Sequence, residues 1–385
     1  EIDYQITQFV EKYGGVVSQV EKDRYNAVFE DKFMQQIIQN RLDILDTIRK
    51  IEISDRVPCT LSIGIGREAP SISEADEMAR QALEMAQGRG GDQAAVRTKN
   101  GYDFYGGLSK GVEKRTKVKS RVVANALSQL IRDSSQVLVM GHKNSDMDAI
   151  GAAAGMVCAA RVKGKPVHIV VDQQHTMASD LIERLESLPE YKDVFISAED
   201  AMIMCDFNTL LIVVDVNRPG YVESEALLQS INKVAVIDHH RRAADYIENA
   251  VVSLHEPYAS SASELVSELL QYLVPNNDIL TGEAEAMLAG IYLDTKGYST
   301  RTGVRTFEAA AYLRRAGAEV SDVKRLFQSS FDQYMERQKI ISSARNCGQG
   351  VIFALTDQEI DRIAAAQAAD ELLSIIGTRA SVVAF

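Results

Sequence analysis

From residue 121 onward the chain repeats one pattern: a short, continuous apolar run, then a helix-length stretch, then another apolar run. The runs lie at 136–141, at 166–171 ("PVHIVV"), at 209–216 ("TLLIVVDV") and at 233–238 ("KVAVID"). The stretches at about 148–163, 177–188 and 222–230 read as helices. A strand that is apolar on both faces must be covered on both faces, and strands joined through helices run parallel. The pattern therefore predicts an α/β fold centred on a parallel sheet with helices on each side. At 385 residues, the chain has room for two or three domains.

An open parallel sheet collects its ligands beyond the carboxyl ends of its strands. The first strand here runs into "GHKNSDMDAIGA", with His142, Asp146 and Asp148. The third delivers Asp215 ahead of "NRPG", the fourth ends in Asp238, His239 and His240, and Asp294 closes the helical run "AEAMLAGIYLDT". Three of the six histidines and five aspartates thus converge by topology. Imidazole with several carboxylates and no thiolate suits Mn²⁺ more than Mg²⁺. A carboxylate set between two cations would bridge them, the arrangement of a two-metal hydrolase. Alone, each piece has an ordinary role as a helix cap or packed side chain. Four pieces at equivalent ends, in chain order, point to a site. Of the other histidines, His168 lies within a strand and His175 in a loop, and both read as structural. His255, before "EPYASSA", also reads first as structural, with an approach to the site as the alternative.

The net charge of −12 argues against broad electrostatic binding of nucleic acid. It does not exclude an anionic substrate, because bound metals invert the local field. The cysteines at 59, 158, 205 and 347 form no C-x-x-C pair, which fits reduced, mostly buried thiols in a cytosolic setting. No apolar run of about 20 residues is present and no signal peptide is visible.

Residues 1–97 form a separate unit. "EIDYQITQFVEKYGG" reads as a helix running to a Gly-Gly stop, already inside a domain. Strand character follows around Tyr25 to Phe29, then one amphipathic helix over "IIQNRLDILDTIRKI" and a β-branched strand over "VPCTLSIGIG". A helix over "SISEADEMARQALEMAQGRGG" is expected to start on Ser73 as N-cap and to end at Gly88. The glycine-rich segment "TKNGYDFYGGLSKG" reads as a linker, which extends to residue 119 through a basic stretch that opens the next helix.

The segments "GHKNSDMDAIGA", "VVDVNRPG", "VIDHHRR" and "YLDT" resemble the four motifs of the DHH phosphoesterase family. That family includes RecJ-type nucleases, oligoribonucleases, family II pyrophosphatases and cyclic-di-AMP phosphodiesterases. The resemblance covers about 120–300 and implies a Rossmann-like sheet followed by a smaller associated domain. "LSIGIG … SISEADEMARQALEMAQGRGGDQAAV" resembles the second half of a GGDEF domain. Where that family carries its Gly-Gly-acid-Glu-Phe turn, this chain has "EKDRYNAVFE", so cyclase chemistry is not expected. A degenerate GGDEF domain fused to a DHH domain is similar to the GdpP-type cyclic-di-AMP phosphodiesterases. The domains expected on this basis are a degenerate, N-terminally truncated GGDEF domain at 1–97, a linker at 98–119, a DHH domain at 120–305, connecting helices at 306–345, and the start of the α/β associated domain at 346–385. The chain ends before that domain's Gly-Gly-Gly-His motif. Full-length members carry two transmembrane helices and a PAS domain ahead of these units, at the cytoplasmic face of the bacterial membrane.

The resemblance also implies roles. His142, Asp146 and Asp215 would hold one Mn²⁺ ion, and Asp148, Asp215, His239 and Asp294 the other, with Mg²⁺ or another divalent ion as a substitute. Water ionised between the ions would open cyclic-di-AMP to linear pApA. His240 is then a candidate to protonate the departing 3′-oxygen or bind a phosphoryl oxygen. Asp238 is a candidate to orient a ligand histidine, and Arg305 and Arg379 to contact phosphate. Expected partners are cyclic-di-AMP, cyclic-di-GMP more weakly, and a second copy in a homodimer, with no long nucleic acid and no membrane contact from these residues. Two alternatives stay open: an oligoribonuclease or pA-phosphatase of the same family, and a nucleotide-sensing regulator with a vestigial catalytic domain. A pyrophosphatase would leave the N-terminal fusion unexplained.

Overall fold

A computed structural model describes the chain except residues 22, 41, 52–58, 100, 107–116, 243, 329 and 357–361. It divides into two compact units, Glu1–Val323 and Lys324–Phe385.

The first unit opens with helix α1 (Ile2–Lys12) and the antiparallel hairpin β1 (Val16–Glu21) and β2 (Arg24–Val28). That hairpin carries the "EKDRYNAVFE" segment. Helices α2 (Asp31–Gln39) and α3 (Ile44–Arg49) follow. The sequence suggested one helix here. The chain instead breaks at Asn40, and Leu42 takes a positive φ of 50°. The break lets Leu42, Leu45 and Ile48 all turn inward. Strand β3 (Ile63–Gly66), helix α4 (Ile72–Gly88) and strands β4 (Gln93–Thr98) and β5 (Gly101–Gly106) complete this part. Ser71, not Ser73, caps α4, accepting from the Glu74 amide at 3.2 Å. Gly101 and Gly106, two of the "linker" glycines, bound β5, which pairs antiparallel with β4 along its whole length. The remainder of that stretch lies outside the described residues.

Helix α5 (Lys117–Asp133) leads to the central sheet. Its strands are β6 (Val137–Met140), β7 (Val167–Val170), β8 (Phe195–Ile196), β9 (Leu210–Val214), β10 (Lys233–Asp238) and β11 (Val252–His255). Their order is β11-β10-β9-β6-β7-β8, and every pairing is parallel. Helices α6 (Met147–Val162), α7 (Ser179–Glu186), α8 (Ala198–Met204) and α9 (Glu225–Ser230) cross between strands. Succession runs outward from β6 through β7 to β8, then returns to lay β9 on the other side of β6. The switch point of this sheet is therefore the gap between β6 and β9, where their carboxyl ends diverge and leave a crevice. All residues of β6 and β9 are fully buried.

Helices α10 (Ala262–Leu273) and α11 (Thr281–Asp294) cover one face, and α12 (Val304–Arg315) and α13 (Val320–Arg325) follow. Helix α6 is buried over nearly its whole length because its small residues let α11 come close. A β-carbon at Gly151 would fall on the Ala286 carbonyl. Among the described residues, no helix is long and apolar enough to cross a membrane. The second unit holds α14 (Phe331–Ser342), β12 (Arg345–Asn346), β13 (Val351–Leu355), α15 (Arg362–Leu373) and β14 (Ala380–Ala384). Strand β13 pairs antiparallel with β12 and parallel with β14, over a small core of Ile340, Ile352, Ala354, Ala368 and Leu372.

Candidate metal centre

The loop after β6 is pinned across the crevice. The Lys143 amide donates to the Tyr221 carbonyl at 2.8 Å, and the Glu223 amide to the Gly141 carbonyl at 2.9 Å. This fixes the ring of His142, whose Nδ1–H donates to the Lys143 carbonyl at 2.8 Å. A carbonyl can only accept, so Nδ1 always carries a proton, and Nε2 is the nitrogen whose own proton a cation would replace. Nε2 faces Asp146 Oδ1 at 3.7 Å and Asp215 Oδ2 at 3.6 Å. Asp146 also caps α6, accepting from the amides of Asp148 and Ala149 at 2.9 and 3.1 Å. The capping role and the site role fall on one side chain.

Asp148, two residues on, points elsewhere. It is fully buried and accepts the first amides of α10, from Ala262 to Oδ2 at 2.6 Å and from Ser263 to Oδ1 at 2.9 Å. Asp215 follows β9 with φ of +61°, a left-handed turn that an aspartate tolerates better than most residues. His239 follows β10 and is buried. Its Nε2 lies 3.2 Å from Asp215 Oδ1, 3.1 Å from Asp294 Oδ2 and 3.9 Å from Asp148 Oδ2. Asp294, the last residue of α11, closes this group.

Three overlapping groups result: His142 with Asp146 and Asp215, Asp148 with His239 and Asp294, and, between them, Asp215 with His239 and His240, whose Nδ1 lies 3.5 Å from Asp215 Oδ1. Asp215 presents Oδ2 to the first and Oδ1 to the second. Neither Asp215 Oδ1 nor His239 Nε2 has a hydrogen-bond partner, although both atoms are buried. Orphaned buried polar atoms are costly, and lone pairs converging on one point call for a cation. The charge count agrees: Asp146, Asp148, Asp215 and Asp294 offer four negative charges, which match two divalent ions. Nitrogen and oxygen donors without thiolate fit Mn²⁺, Mg²⁺ less well.

Without a cation the carboxylates act on one another and on the imidazoles. Burial raises the pKa of Asp148 well above the carboxylate range, and Asp215 and Asp294 add to it. Burial alone would lower the pKa of His142, but Asp146 and Asp215 outweigh it and push the value up to about 11. His239 is raised in the same way by Asp215 and Asp294 against its burial. A bound cation replaces those protons and reverses the signs.

Around the clusters, Asp238 is fully buried and accepts from His240 Nδ1 at 2.9 Å and from the Asn217 side-chain amide. The carboxylate thus orients His240, not the His239 ring that faces the clusters. His240 itself has a side chain 56% exposed at the mouth of the crevice. His255 donates from Nε2 to the His240 carbonyl, so it supports the loop rather than the clusters. His168 and His175 bond Asp193 and Asp172, away from the site.

Arg305 does not reach out to phosphate. It is 9% exposed and grips Glu268 through Nε and Nη2 at 2.7 and 2.9 Å, with Glu264 3.8 Å away. Glu264 and Glu268 on α10, with Glu256 ahead of it at 3.9 Å, hold it in a structural ion-pair network, a context invisible from "RTGVRTF". Arg379 belongs to the second unit, where it is exposed just before β14. Sequence reasoning passed over Asn217, whose only signal was its place two residues beyond Asp215.

Comparison with known proteins places this geometry in context. Residues 136–291 match the model of the DHH family, N-terminal domain. Residues 1–104 match the model described as cyclic-di-AMP phosphodiesterase GdpP-like, GGDEF domain. The chain is 39% identical over 383 residues to cyclic-di-AMP phosphodiesterase GdpP of Bacillus subtilis, covering 98% of this chain and 58% of that protein. It is 35% identical over 384 residues to cyclic-di-AMP phosphodiesterase PdeA of Listeria monocytogenes, with the same coverages. The chain thus spans 58% of the length of these relatives. An exopolyphosphatase-related protein from Bacteroides fragilis shares the fold, with a TM-score of 0.57 at 18% identity over 67% of this chain and 78% of its own.

Proposed function

With a GdpP-like GGDEF domain and a DHH-family domain in one chain, we propose that this protein is a divalent-cation-dependent phosphodiesterase that hydrolyses cyclic-di-AMP to linear pApA. One observation carries the reading. Asp215 turns one oxygen to each of two histidine–carboxylate clusters, and buried atoms in that gap have no other partner. His142, Asp146 and Asp215 would hold one cation, and Asp148, Asp215, His239 and Asp294 the other, with Mn²⁺ preferred. Bound there, the ions supply an ionised water at neutral pH and neutralise charge on the phosphoryl oxygens.

The chain's own residues do the rest. Asp238 holds His240 by Nδ1, which leaves Nε2 to meet a phosphoryl oxygen or to give a proton to the departing 3′-oxygen. The amides of Ala262 and Ser263 hold Asp148 in one orientation, so that its cluster is preorganised. The substrate reading includes weaker binding of cyclic-di-GMP, and the assembly reading a homodimer.

The test is turnover of cyclic-di-AMP, cyclic-di-GMP, pApA and a short RNA, side by side, under Mn²⁺ and under Mg²⁺. Release of pApA from cyclic-di-AMP as the fastest reaction is expected, abolished in Asp215→Asn. Faster cleavage of pApA or RNA would move the reading to the oligoribonuclease alternative. Tight Mn²⁺ binding with no turnover of any of the four would leave a sensor.

A further inference from the structure

The loop after the two histidines leaves the central sheet and lies against the first domain. Arg242 stretches its side chain over Gly88, where a β-carbon would meet Nη1 at 3.1 Å and Cδ at 3.2 Å. In return Arg89, the residue that ends α4, donates from Nη1 to the Arg242 carbonyl at 2.7 Å. The Arg89 guanidinium is itself fixed. Its central carbon lies 3.8 Å from the centre of the Phe104 ring, and its Nε reaches Gln93 Oε1 at 3.4 Å. Phe104 and Gln93 stand on the paired strands β5 and β4, so the donor is mounted on a sheet rather than on a free stem.

A second contact runs beside the first. The Tyr258 hydroxyl donates to the Gly90 carbonyl. Gly90 has φ of +102°, and a β-carbon there would come within 2.9 Å of that hydroxyl. Tyr258 lies just beyond β11, the strand that ends in His255. The main chain after the histidines is thus held at two points, the His240 carbonyl by His255 and the Arg242 carbonyl by Arg89. Only Arg241 lies between them. A loop anchored at both ends transmits the position of one anchor to the other, because extended chain over two residues, roughly 7 Å, has little slack.

We propose that Arg89, from the GGDEF-like domain, is a positioning residue for the metal centre. It holds the Arg242 carbonyl and thereby sets His239 and His240 against Asp215 and Asp294. Metal sites tolerate little displacement of their ligands, and residues that orient ligands matter nearly as much as the ligands do. The end of α4 is then the route by which the first domain influences hydrolysis, and to that extent the inference rests on the proposed function.

The test uses the full chain with Arg89→Met, which keeps the apolar stem over Phe104 and removes the donor. Three readouts are taken: Mn²⁺ affinity by competition with a chelator, amide exchange over 239–242 and over β4–β5, and kcat and KM on cyclic-di-AMP. Expected are a Mn²⁺ dissociation constant raised about threefold to tenfold, faster exchange at 239–242 alone, and kcat lowered by a similar factor with KM within about twofold of wild type. Arg89→Lys, which still reaches the carbonyl with one donor, recovers part of the loss. No recovery would assign the loss to packing and overturn the proposal, as would Arg89→Met with wild-type affinity and exchange. Should Arg89→Met loosen β4–β5 as well, Arg89→Gln, polar but too short to span, is read by the same measures. A wild-type chain that binds Mn²⁺ but leaves cyclic-di-AMP intact would sink the proposed function, while affinity and exchange still judge Arg89.

Discussion

Gly290 offers the sharpest test of how the second cluster is built. It sits on α11 one turn before Asp294, against the start of α6 and of α10. A β-carbon there would lie 2.6 Å from Asp148 Oδ1 and 2.8 Å from Asp148 Cα, and closer still to Ser263 Oγ. Ordinary contact begins near 3.4 Å, so Gly290→Ala asks for a displacement of 3.4 − 2.3 = 1.1 Å from Ser263 Oγ and 3.4 − 2.6 = 0.8 Å from Asp148 Oδ1. Neither neighbour yields easily. Asp148 is held by the Ala262 and Ser263 amides, and the Ser263 hydroxyl donates back to the Asp148 carbonyl at 3.2 Å. The shift therefore falls on α11 and carries Asp294 away from His239.

Two energies oppose each other. Alanine gains about 1 kcal/mol over glycine within a helix, and overpacking costs about 1–3 kcal/mol. The net loss of stability is small, at most about 2 kcal/mol. Function is the more sensitive quantity, since ligand distances must hold to roughly 0.2 Å for a metal to be bound well. Titration of the metal-free chain with Mn²⁺ against a chelator should show one site retained and the other weakened at least about tenfold. Thermal melting should move by only a few degrees, and Gly220→Ala, where a β-carbon meets nothing within 4 Å, should leave both sites intact. Gly290→Ala with two wild-type sites would refute the claim that Asp148 and Asp294 serve one cluster.

Three further predictions rest on the charges. Metal entry must displace the proton that Asp146 and Asp215, against the effect of burial, hold on His142 up to about pH 11. Apparent Mn²⁺ affinity should therefore rise from about pH 6 to about pH 8 with protons released, which calorimetry in two buffers measures; an affinity flat with pH would contradict it. In the metal-free chain the same raised pKa stabilises the fold below about pH 6.5, and that contribution fades as pH climbs toward about 11. Arg305→Ala strands Glu268 and Glu264, and should cost about 3 kcal/mol in denaturant unfolding while leaving KM for cyclic-di-AMP unchanged; a raised KM with full stability would return Arg305 to the substrate.

Much of the sheet was legible because its signal is local. Strands buried on both faces must be apolar throughout, so β6, β7, β9 and β10 stand out from one sequence. Strand β8 has only two residues, and β11 (Val252–His255), at the sheet edge with one buried residue, carries no continuous apolar run, so neither shows. Glycine misled the reading at β5, where Gly101 and Gly106 bound a strand instead of loosening a linker. Serine misled it at α4, because Ser71 and Ser73 are equally good caps by composition and only the helix start decides between them.

The division matches the range of the forces involved. Sequence alone determined that β6, β9 and β10 end in histidine and aspartate at one edge, since periodicity and parallel connection suffice for that. Only the tertiary structure decided which oxygen faces which gap. Asp146 and Asp148 share a turn yet serve different clusters, because Asp148 is claimed by amides 114 and 115 residues away on α10. Asp238 is held by Asn217 from the turn after β9, and Arg305 by Glu268 from α10, neighbours that come from separate elements. Arg89 meets the histidine loop across 153 residues. Such pairings depend on how helices dock and how far they turn, and no local spacing encodes that.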